Sequence, residues 1–546
     1  MKKQFILFLF LLPFVTVEAK TIHKIEKPIY VGINDGTMKI ISVKTTEKAT
    51  ILTFLYPGKG FDTFSPTSFI VDEQGQRYEL IGQKGFDEDS LKQFVPKKKG
   101  KYELFFQPLP TETRIFDLIE DFYSATSTRY YGIRETGSPF TVNNPLPHNE
   151  GDISLPNMDF KVDSVQITGC IRNFILEKHK NERISVLYGD ATRDMAPVDI
   201  NENGYFKMKI RVDGPTWNVL QVNNSHIPIM LYPMDSIDLQ FTFGNECPKE
   251  VLYYSKLQKD FSKLMRCAPM IWIKYYIPRN DNTEDYSAKF EQMTSESVQK
   301  RFDDYDAMGL YLSGKYGLNR IETEMLRSYL SLVVATDVTA LTSRYFFDLS
   351  EKESPQDNEI ARNRWENSDS PYYGICFSNV RSESNTFLCA PYRNILLSRF
   401  NMNHLPPHYK QDKGYQFYKW KNILGKDIEP TKTGEFPGVW YSETSDTNKK
   451  IEDFEGQHAM HYYNWMLQLI REWRNKGEKN DTIFEQAYLL EQICCMPMAA
   501  ISGMDNLYQQ FTLCRNLFYH PSFVRLASEL LYEQEQILYR NSEEED

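Results

Sequence analysis

The stretch Asn203-Gly204-Tyr205-Phe206-Lys207-Met208-Lys209-Ile210 indicates the fold of the region around it. Asn-Gly is typical of a tight β-turn, and the residues that follow alternate in the way expected of a strand with one buried face. We therefore expect Tyr205 and Phe206 to lie on strand faces beside the turn, with one ring in a core. Similar patterns extend on both sides, and we predict a β module over residues 162–245.

A second β pattern precedes this module. Short runs rich in β-branched and aromatic residues, such as 49–55, are separated by Gly and Pro breaks. This spacing favours a small antiparallel sandwich, so we predict a first β-sandwich module over residues 20–136. Residues 137–161 contain several prolines and show little periodicity, and we interpret them as a linker.

From about Lys249 onward, apolar residues recur every three to four positions, which is typical of amphipathic helices. Residues 322–341 show the pattern clearly, with these side chains on one face: Met325, Tyr329, Leu332 and Val333. We therefore predict an all-helical domain over residues 246–546. For the whole chain, we expect a multi-domain α+β fold with two antiparallel β-sandwich-like modules followed by this C-terminal helical domain.

The first residues of the chain have the features of a secretory signal peptide. Lys2 and Lys3 are followed by an apolar run and then by small residues at the −3 and −1 positions of a cleavage site. We predict a signal peptide over residues 1–19 and cleavage between Ala19 and Lys20. The run is shorter than the roughly 20 residues that a bilayer crossing needs, and no Cys follows it. We therefore expect a soluble periplasmic or otherwise exported protein that is not a lipoprotein and has no membrane span after cleavage.

The chain is acidic, which bears on its partners. Its formal net charge is −11 over 546 residues, and removing the signal peptide, which carries a net +1, leaves −12. Because phosphate neutralisation dominates nucleic-acid binding, we do not expect nucleic acid or an anionic membrane surface as a partner. Aromatic residues make up 14% of the chain, and their large rings can supply substantial cores.

The eight cysteines include no Cys-x-x-Cys motif. Cys376 and Cys389 lie in an irregular stretch, and we regard them as the best candidates for a disulfide in an exported protein. Cys494 and Cys495 are adjacent on a predicted helix, so their side chains diverge by about 100°. For these two, buried structural thiols are favoured over a redox pair.

His458 and His461, with Glu455 three residues earlier, have a spacing that can place metal ligands on one helix face. A di-metal site of this Glu-x-x-His type needs a second copy and further carboxylates, which we do not find. We therefore interpret these as ordinary helix residues and predict no metal and no cofactor. We also find no phosphate loop, nucleophile elbow or dinucleotide fingerprint, and we assign no catalytic residue.

Two regions resemble known domains of unknown function. The segments concerned are Asp163-Ser164-Val165-Gln166-Ile167-Thr168-Gly169, Asn203-Gly204-Tyr205-Phe206 and Leu231-Tyr232-Pro233-Met234-Asp235-Ser236-Ile237. They resemble an N-terminal β domain of many Bacteroidetes-type envelope proteins, in which a Gly usually stands at the position of Met234. Residues 37–134 look like the preceding sandwich module of the same proteins. Those proteins usually end in a TlpA-like thioredoxin domain, and we expect that domain and its Cys-x-x-Cys to be absent here, so the resemblance implies a scaffold without the enzyme.

These observations favour an exported, non-enzymatic binding or scaffolding protein of the bacterial envelope. Its partner would be an unknown envelope protein or a small ligand. One alternative is a thiol-disulfide accessory protein related to thioredoxin-like oxidoreductases, which would need a thiolate of lowered pKa. Another is a glycan-binding protein that uses exposed Trp and Tyr rings.

Overall fold

The structure is a computed structural model. It describes residues 21–34, 38–58, 63–89, 93–120, 128–138, 160–179, 184–187, 196–222, 225–244, 247–267, 293–350, 371–382, 386–389, 393, 396–397, 467, 470–471, 482–495 and 504–544. The predicted signal peptide with Ala19 and Lys20, most of the predicted linker, and the metal candidates Glu455, His458 and His461 lie outside these residues.

Eleven strands make up the β structure of the first 138 residues, as far as that part is described. They are β1 Thr21–Glu26, β2 Gly32–Asn34, β3 Lys39–Thr46, β4 Thr50–Tyr56, β5 Phe69–Asp72, β6 Arg77–Lys84, β7 Asp87–Glu88, β8 Phe94–Val95, β9 Gly100–Phe106, β10 Phe116–Ile119 and β11 Arg129–Ile133. Nine form one sheet in the order β1-β3-β4-β9-β6-β5-β10-β11-β2, in which each neighbouring pair is antiparallel. β7 and β8 pair separately.

The core of the first sheet follows from the alternation of buried and more exposed side chains along its central strands. In the β4–β9 pair, Leu52 lies opposite Leu104, and Phe54 lies opposite Tyr102. The side chains of Leu52, Phe54 and Leu104 are fully buried. Tyr130 of β11 joins them, and its hydroxyl donates a hydrogen bond of 2.6 Å to the Met38 carbonyl oxygen. Buried and more exposed positions thus alternate along β4 and β9 with the two-residue period of a strand.

The next eight strands form two smaller sheets. They are β12 Asp163–Ile171, β13 Ile184–Leu187, β14 Ala196–Val198, β15 Tyr205–Val212, β16 Thr216–Val222, β17 Ser225–Leu231, β18 Ser236–Gly244 and β19 Cys247–Tyr253. One sheet has the order β15-β12-β18-β19 and the other has the order β14-β13-β16-β17. Their inward side chains, including Ile167, Leu220, Ile229 and Leu239, share one core.

One pairing departs from the antiparallel prediction for this region. β12 and β18 run parallel, with Ile167 opposite Ile237 and Gly169 opposite Leu239. Parallel neighbours need a long crossover connection, which here contains β13 to β17. Alternation within each strand predicts which face is buried, but it carries no information about the direction of the neighbouring strand.

The turn before β15 confirms the expectation for Tyr205 and Phe206. Phe206 is buried in the shared core, whereas the Tyr205 side chain is exposed. Gly204 has a φ of +79°, and its amide donates to the Asn201 carbonyl oxygen at 2.9 Å. The Asn201 side chain accepts from the amides of Asn203 and Tyr205. The turn therefore begins at Asn201, earlier than the Asn-Gly pair alone indicates.

Helices predominate in the rest of the described chain. They are α1 Leu176–His179, α2 Lys256–Asp260, α3 Ser262–Cys267, α4 Ser295–Tyr316, α5 Arg320–Ser350, α6 Pro371–Asn379, α7 Thr386–Cys389, α8 Thr482–Leu489, α9 Met504–Leu517 and α10 Pro521–Glu544. A π-helical turn, Leu490–Cys495, follows α8. Pro521 is the first residue of α10, a position where proline loses no helical hydrogen bond.

The two long helices α4 and α5 begin with specific caps. Thr294 and Ser297 form a reciprocal capping box at the start of α4, and Gly317 ends that helix with a φ of +63°. Before α5, the Asn319 side chain accepts from the Glu322 amide, and the Glu322 carboxylate accepts from the Asn319 amide. The predicted apolar face of α5 is confirmed, since these residues are all buried: Met325, Tyr329, Leu332 and Val333.

A third core joins the helices to both β regions. It contains Tyr131 of β11 and Trp217 of β16 together with the buried side chains of α4 and α5. The Trp217 ring lies 5.4 Å from the Tyr329 ring, centroid to centroid. The fold is therefore of the mixed α+β class. β19 extends to Tyr253, past the predicted boundary at residue 245, and the chain becomes helical at Lys256.

Within the described ranges, no helix has both the length and the apolar content that a membrane crossing requires.

We predict that Gly204→Ala destabilises the protein by roughly 2–4 kcal/mol. A Cβ at this position would lie 2.5 Å from the Phe174 Cβ and 2.7 Å from the Ile171 carbonyl oxygen, at a φ that side chains avoid. Gly137→Ala is the matched control, because Gly137 has a φ of +86° but no atom near the added Cβ. It should cost only about 1 kcal/mol. Equal losses in urea unfolding of the two variants would contradict the close packing at Gly204.

Candidate functional site

A buried pair of opposite charges lies where the first sheet meets helix α4. Lys315 is in the last turn of α4, and Asp117 is in the centre of β10. Their side chains are 1% and 0% exposed. A cation near a helix C-terminus interacts favourably with the helix dipole. A buried ammonium group also needs an opposite charge and hydrogen-bond acceptors. We call Lys315, Asp117, Val71, Tyr311 and Gly132 the junction cluster.

The Lys315 ammonium group makes a complete set of bonds. It donates to the Asp117 Oδ2 at 2.6 Å, to the Val71 carbonyl oxygen at 3.0 Å and to the Tyr311 hydroxyl at 3.2 Å. An ammonium group has three protons, so each proton has an acceptor. The other oxygen of Asp117, Oδ1, accepts from the Gly132 amide at 2.8 Å. The cluster thus connects β5, β10 and β11 with α4.

Burial controls the ionisation of the groups around this pair. It lowers the pKa of Lys315, while the Asp117 carboxylate acts in the opposite direction. Burial, followed by the charge of Asp117, raises the pKa of Tyr311, so this phenol stays protonated. Burial also raises the pKa of Glu73, against hydrogen bonds from the Ile115 and Arg114 amides. Burial and a hydrogen bond to Asp72 raise the pKa of Tyr78 to about 12.

The chemistry of the junction cluster is structural. A general base or nucleophile needs a lone pair directed at a substrate, whereas the Lys315 nitrogen is surrounded by internal acceptors. Perturbed pKa values occur in catalytic sites and also in structural ion pairs. Here the saturated hydrogen bonding favours the structural role.

A second charged cluster connects α4, α5 and the segment after α6. Arg327 donates to both oxygens of Asp306 at 2.8 Å and to Glu324 at 2.9 Å. Arg381 donates to the same two carboxylates at 3.1 Å. Burial raises the pKa of Asp306, but hydrogen bonds from Arg327 and the charges of both arginines outweigh this, and the pKa lies below its ordinary value.

The predicted disulfide pair lies in the helical core. Cys376 of α6 and Cys389 of α7 are both fully buried, and both are free thiols in the structure, so the predicted bond is not formed there. Burial raises the pKa of Cys376. It raises the pKa of Cys389 to about 12, against the charge of Arg393. Both thiols therefore stay protonated at neutral pH and pack as small apolar side chains.

The predicted cleavage site and the histidine pair lie outside the described residues. Among the residues that are described, no group of three or more His, Cys, Asp and Glu side chains is placed to hold a metal ion.

Sequence analysis did not identify the junction cluster, although a signal for it exists. Lys315 lies four residues after Tyr311 and three after Leu312, on the face that α4 buries. Asp117 lies within the strand Phe116–Ile119, in which each residue is buried. A charge inside an apolar pattern indicates a partner, but the sequence could not show that these two residues, 198 positions apart, form a pair.

We predict that Lys315→Met destabilises the protein by about 3–5 kcal/mol, because it leaves the Asp117 charge buried without its partner. Lys300→Met on the same helix is the matched control. Lys300 also pairs with an aspartate, Asp304, but its side chain is 71% exposed, so its loss should cost less than about 1 kcal/mol. Urea unfolding measures the loss of stability in both variants.

The double variant Lys315→Met/Asp117→Asn separates charge from packing. It removes the uncompensated charge and keeps an acceptor for the Gly132 amide, so it should recover most of the stability lost in Lys315→Met. A double variant as unstable as the single one would contradict an electrostatic role.

We also predict a pH-dependent effect of Asp306→Asn. Because the folded-state pKa of Asp306 is lowered, its contribution is complete above the unfolded pKa of about 4 and is lost as the pH falls through the lower folded value. The variant should be less stable than the parent at pH 7, by about 1 kcal/mol after solvent screening of this partly exposed carboxylate. That difference should shrink at pH 3. Asp303→Asn, at an exposed position of the same helix, is the control, and a difference that persisted unchanged at pH 3 would count against the network.

Comparison with known proteins provides no relative to interpret these clusters. No family model, no curated protein and no solved structure matches the chain. The resemblance to Bacteroidetes-type envelope proteins therefore remains a prediction.

Proposed function

We propose that this protein is an exported, non-enzymatic binding or scaffolding protein of a bacterial envelope. The observation that carries the proposal is the saturation of Lys315. The Lys315 side chain is buried and its pKa is shifted, as that of an active-site lysine would be, but all three of its ammonium protons bind partners within the fold. Its effect is to hold a sheet against a helix, which a scaffold requires.

The proposal includes the finer organisation of the chain. Two β-sandwich-like modules, over residues 20–136 and 162–245 with the β19 extension, would precede a C-terminal helical domain. The Lys315–Asp117 pair supports attachment of the first module to the helices. Glu529 of α10 accepts from the Val162 amide at 2.9 Å, and Glu533 pairs with Arg211 of β15, which supports attachment of the second. The resemblance to envelope proteins with such modules agrees with this organisation.

A glycan ligand is the second candidate, and one observation favours it. Tyr532 and Tyr539 are separated by seven residues on α10, which places them on one helix face, and both are at least half exposed. Tyr508 of α9, also half exposed, lies beside Tyr539. Exposed rings with polar tips are suited to the apolar faces and hydroxyl groups of sugars.

A glycan array with the full mature chain tests this glycan-binding candidate, with the double variant Tyr532→Ala/Tyr539→Ala as the comparison.

The thiol-disulfide alternative receives no support from the predicted pair. A redox-active cysteine needs a lowered pKa and access to solvent. Cys376 and Cys389 have raised pKa values and are fully buried.

Export and the absence of turnover can be tested together. Expressed from its own Met1 in a Gram-negative host, the protein should be recovered from the periplasm with Lys20 as its first residue, as read by mass spectrometry. Ala19→Arg should block cleavage, because the −1 position requires a small residue. Conservative changes at neighbouring positions, such as Lys20→Arg, should not.

The purified mature protein should then show no turnover in panels of hydrolase, transferase and disulfide-exchange assays. An intact N-terminus in the cytoplasm would overturn the proposed location. Turnover that survives further purification would overturn the non-enzymatic role.

A further inference from the structure

Two cysteines that sequence analysis did not pair lie in contact in the helical core. Cys494 is in the π-helical turn Leu490–Cys495, and Cys514 is in α9. Their Sγ atoms are 3.7 Å apart. Cys494 is fully buried and Cys514 is 7% exposed, and both are thiols in the structure.

The distance is compatible with a disulfide after a small movement. An S–S bond is about 2.05 Å long, so the two sulfur atoms need to approach by roughly 1.7 Å. Rotation of a cysteine side chain about its Cα–Cβ bond moves the sulfur atom by distances of this order.

We propose that Cys494 and Cys514 form a disulfide when the chain folds in an oxidising compartment. The two thiols lose two protons and two electrons as the Sγ–Sγ bond forms. The electrons reduce a disulfide oxidant, either a protein or a small-molecule disulfide, to two thiols. Because both sulfur atoms are buried in the folded protein, the exchange takes place during folding, while they are still accessible.

The bond would act on the C-terminal helices. It closes a loop between residues 20 positions apart and connects the π-helical turn to α9, which packs on α10. Closing such a loop removes conformations from the unfolded chain and stabilises the folded one. In the cell the bond depends on the exported location proposed above, whereas in the test tube it depends on the two thiols alone.

The test uses the purified full mature chain, refolded from urea with reduced and oxidised glutathione. Thiols that remain are then blocked with iodoacetamide in urea. Trypsin alone leaves Cys494, Cys495 and Cys514 in one peptide, because no Lys or Arg lies between residues 480 and 514. Adding Asp-N, which cleaves before Asp505, separates peptide 481–504 from peptide 505–515.

The expected result is a disulfide-linked pair of these two peptides, separated by reduction. Cys494→Ala should abolish the link, and Cys495→Ala, the matched control at the adjacent position, should retain it. The oxidised parent should unfold several degrees above the reduced parent, and Cys514→Ala should show no such shift.

Recovery of Cys514 in alkylated form from the folded, oxidised parent would overturn the proposal. A link from Cys514 to Cys495, or to any other cysteine, would overturn it as well. The link is detected by mass and assigned to Cys494 by the two alanine variants, so its measurement does not depend on binding. Its absence would leave the binding role untouched, and failure of the binding role would leave the link in place.

Discussion

The arrangement of the first sheet against the helices depends on one buried ion pair, Lys315 with Asp117. Removing two charges from water costs several kcal/mol per ion, and their attraction offsets this only when the remaining bonds are complete. Here Val71, Tyr311 and Gly132 complete them. Because a shift of α4 along the sheet would leave a charge without its partner, the pair specifies one position of helix on sheet, which an apolar contact alone would not.

The core that the helices form also contains side chains from both β regions. Tyr131 and Trp217 enter the helical core from two different sheets. At the far end of the chain, the ring of Phe523 stacks on that of Phe160 with centroids 5.6 Å apart. The helices therefore cover apolar surface that neither β region buries alone. A molecule built in this way suits a role in which the relative placement of surfaces matters, which agrees with the proposed scaffold.

Several features were predictable because they are local. The period of two in β15 separated buried Phe206 from exposed Tyr205, and the period of three to four in α5 identified its buried face. Other features depend on partners distant in sequence. The parallel pairing of β12 with β18, the extension of the β region to Tyr253 and the contact between Cys494 and Cys514 are of this kind. For the candidate site, the sequence contains only one signal, which is a charged residue within an apolar pattern at Lys315 and at Asp117.

The sequence by itself determined the mixed α+β class and the buried faces of β15 and α5, because side-chain period and turn chemistry act over a few residues. The tertiary structure decided which charges are neutralised and which thiols meet. Cys376 and Cys389 are close in sequence but lie on separate helices, whereas Asp117 and Lys315 are far apart in sequence and 2.6 Å apart in space. Which side chains meet depends on how the helices and strands pack. A charged side chain that packing removes from water needs a partner, because a buried charge without one costs too much free energy.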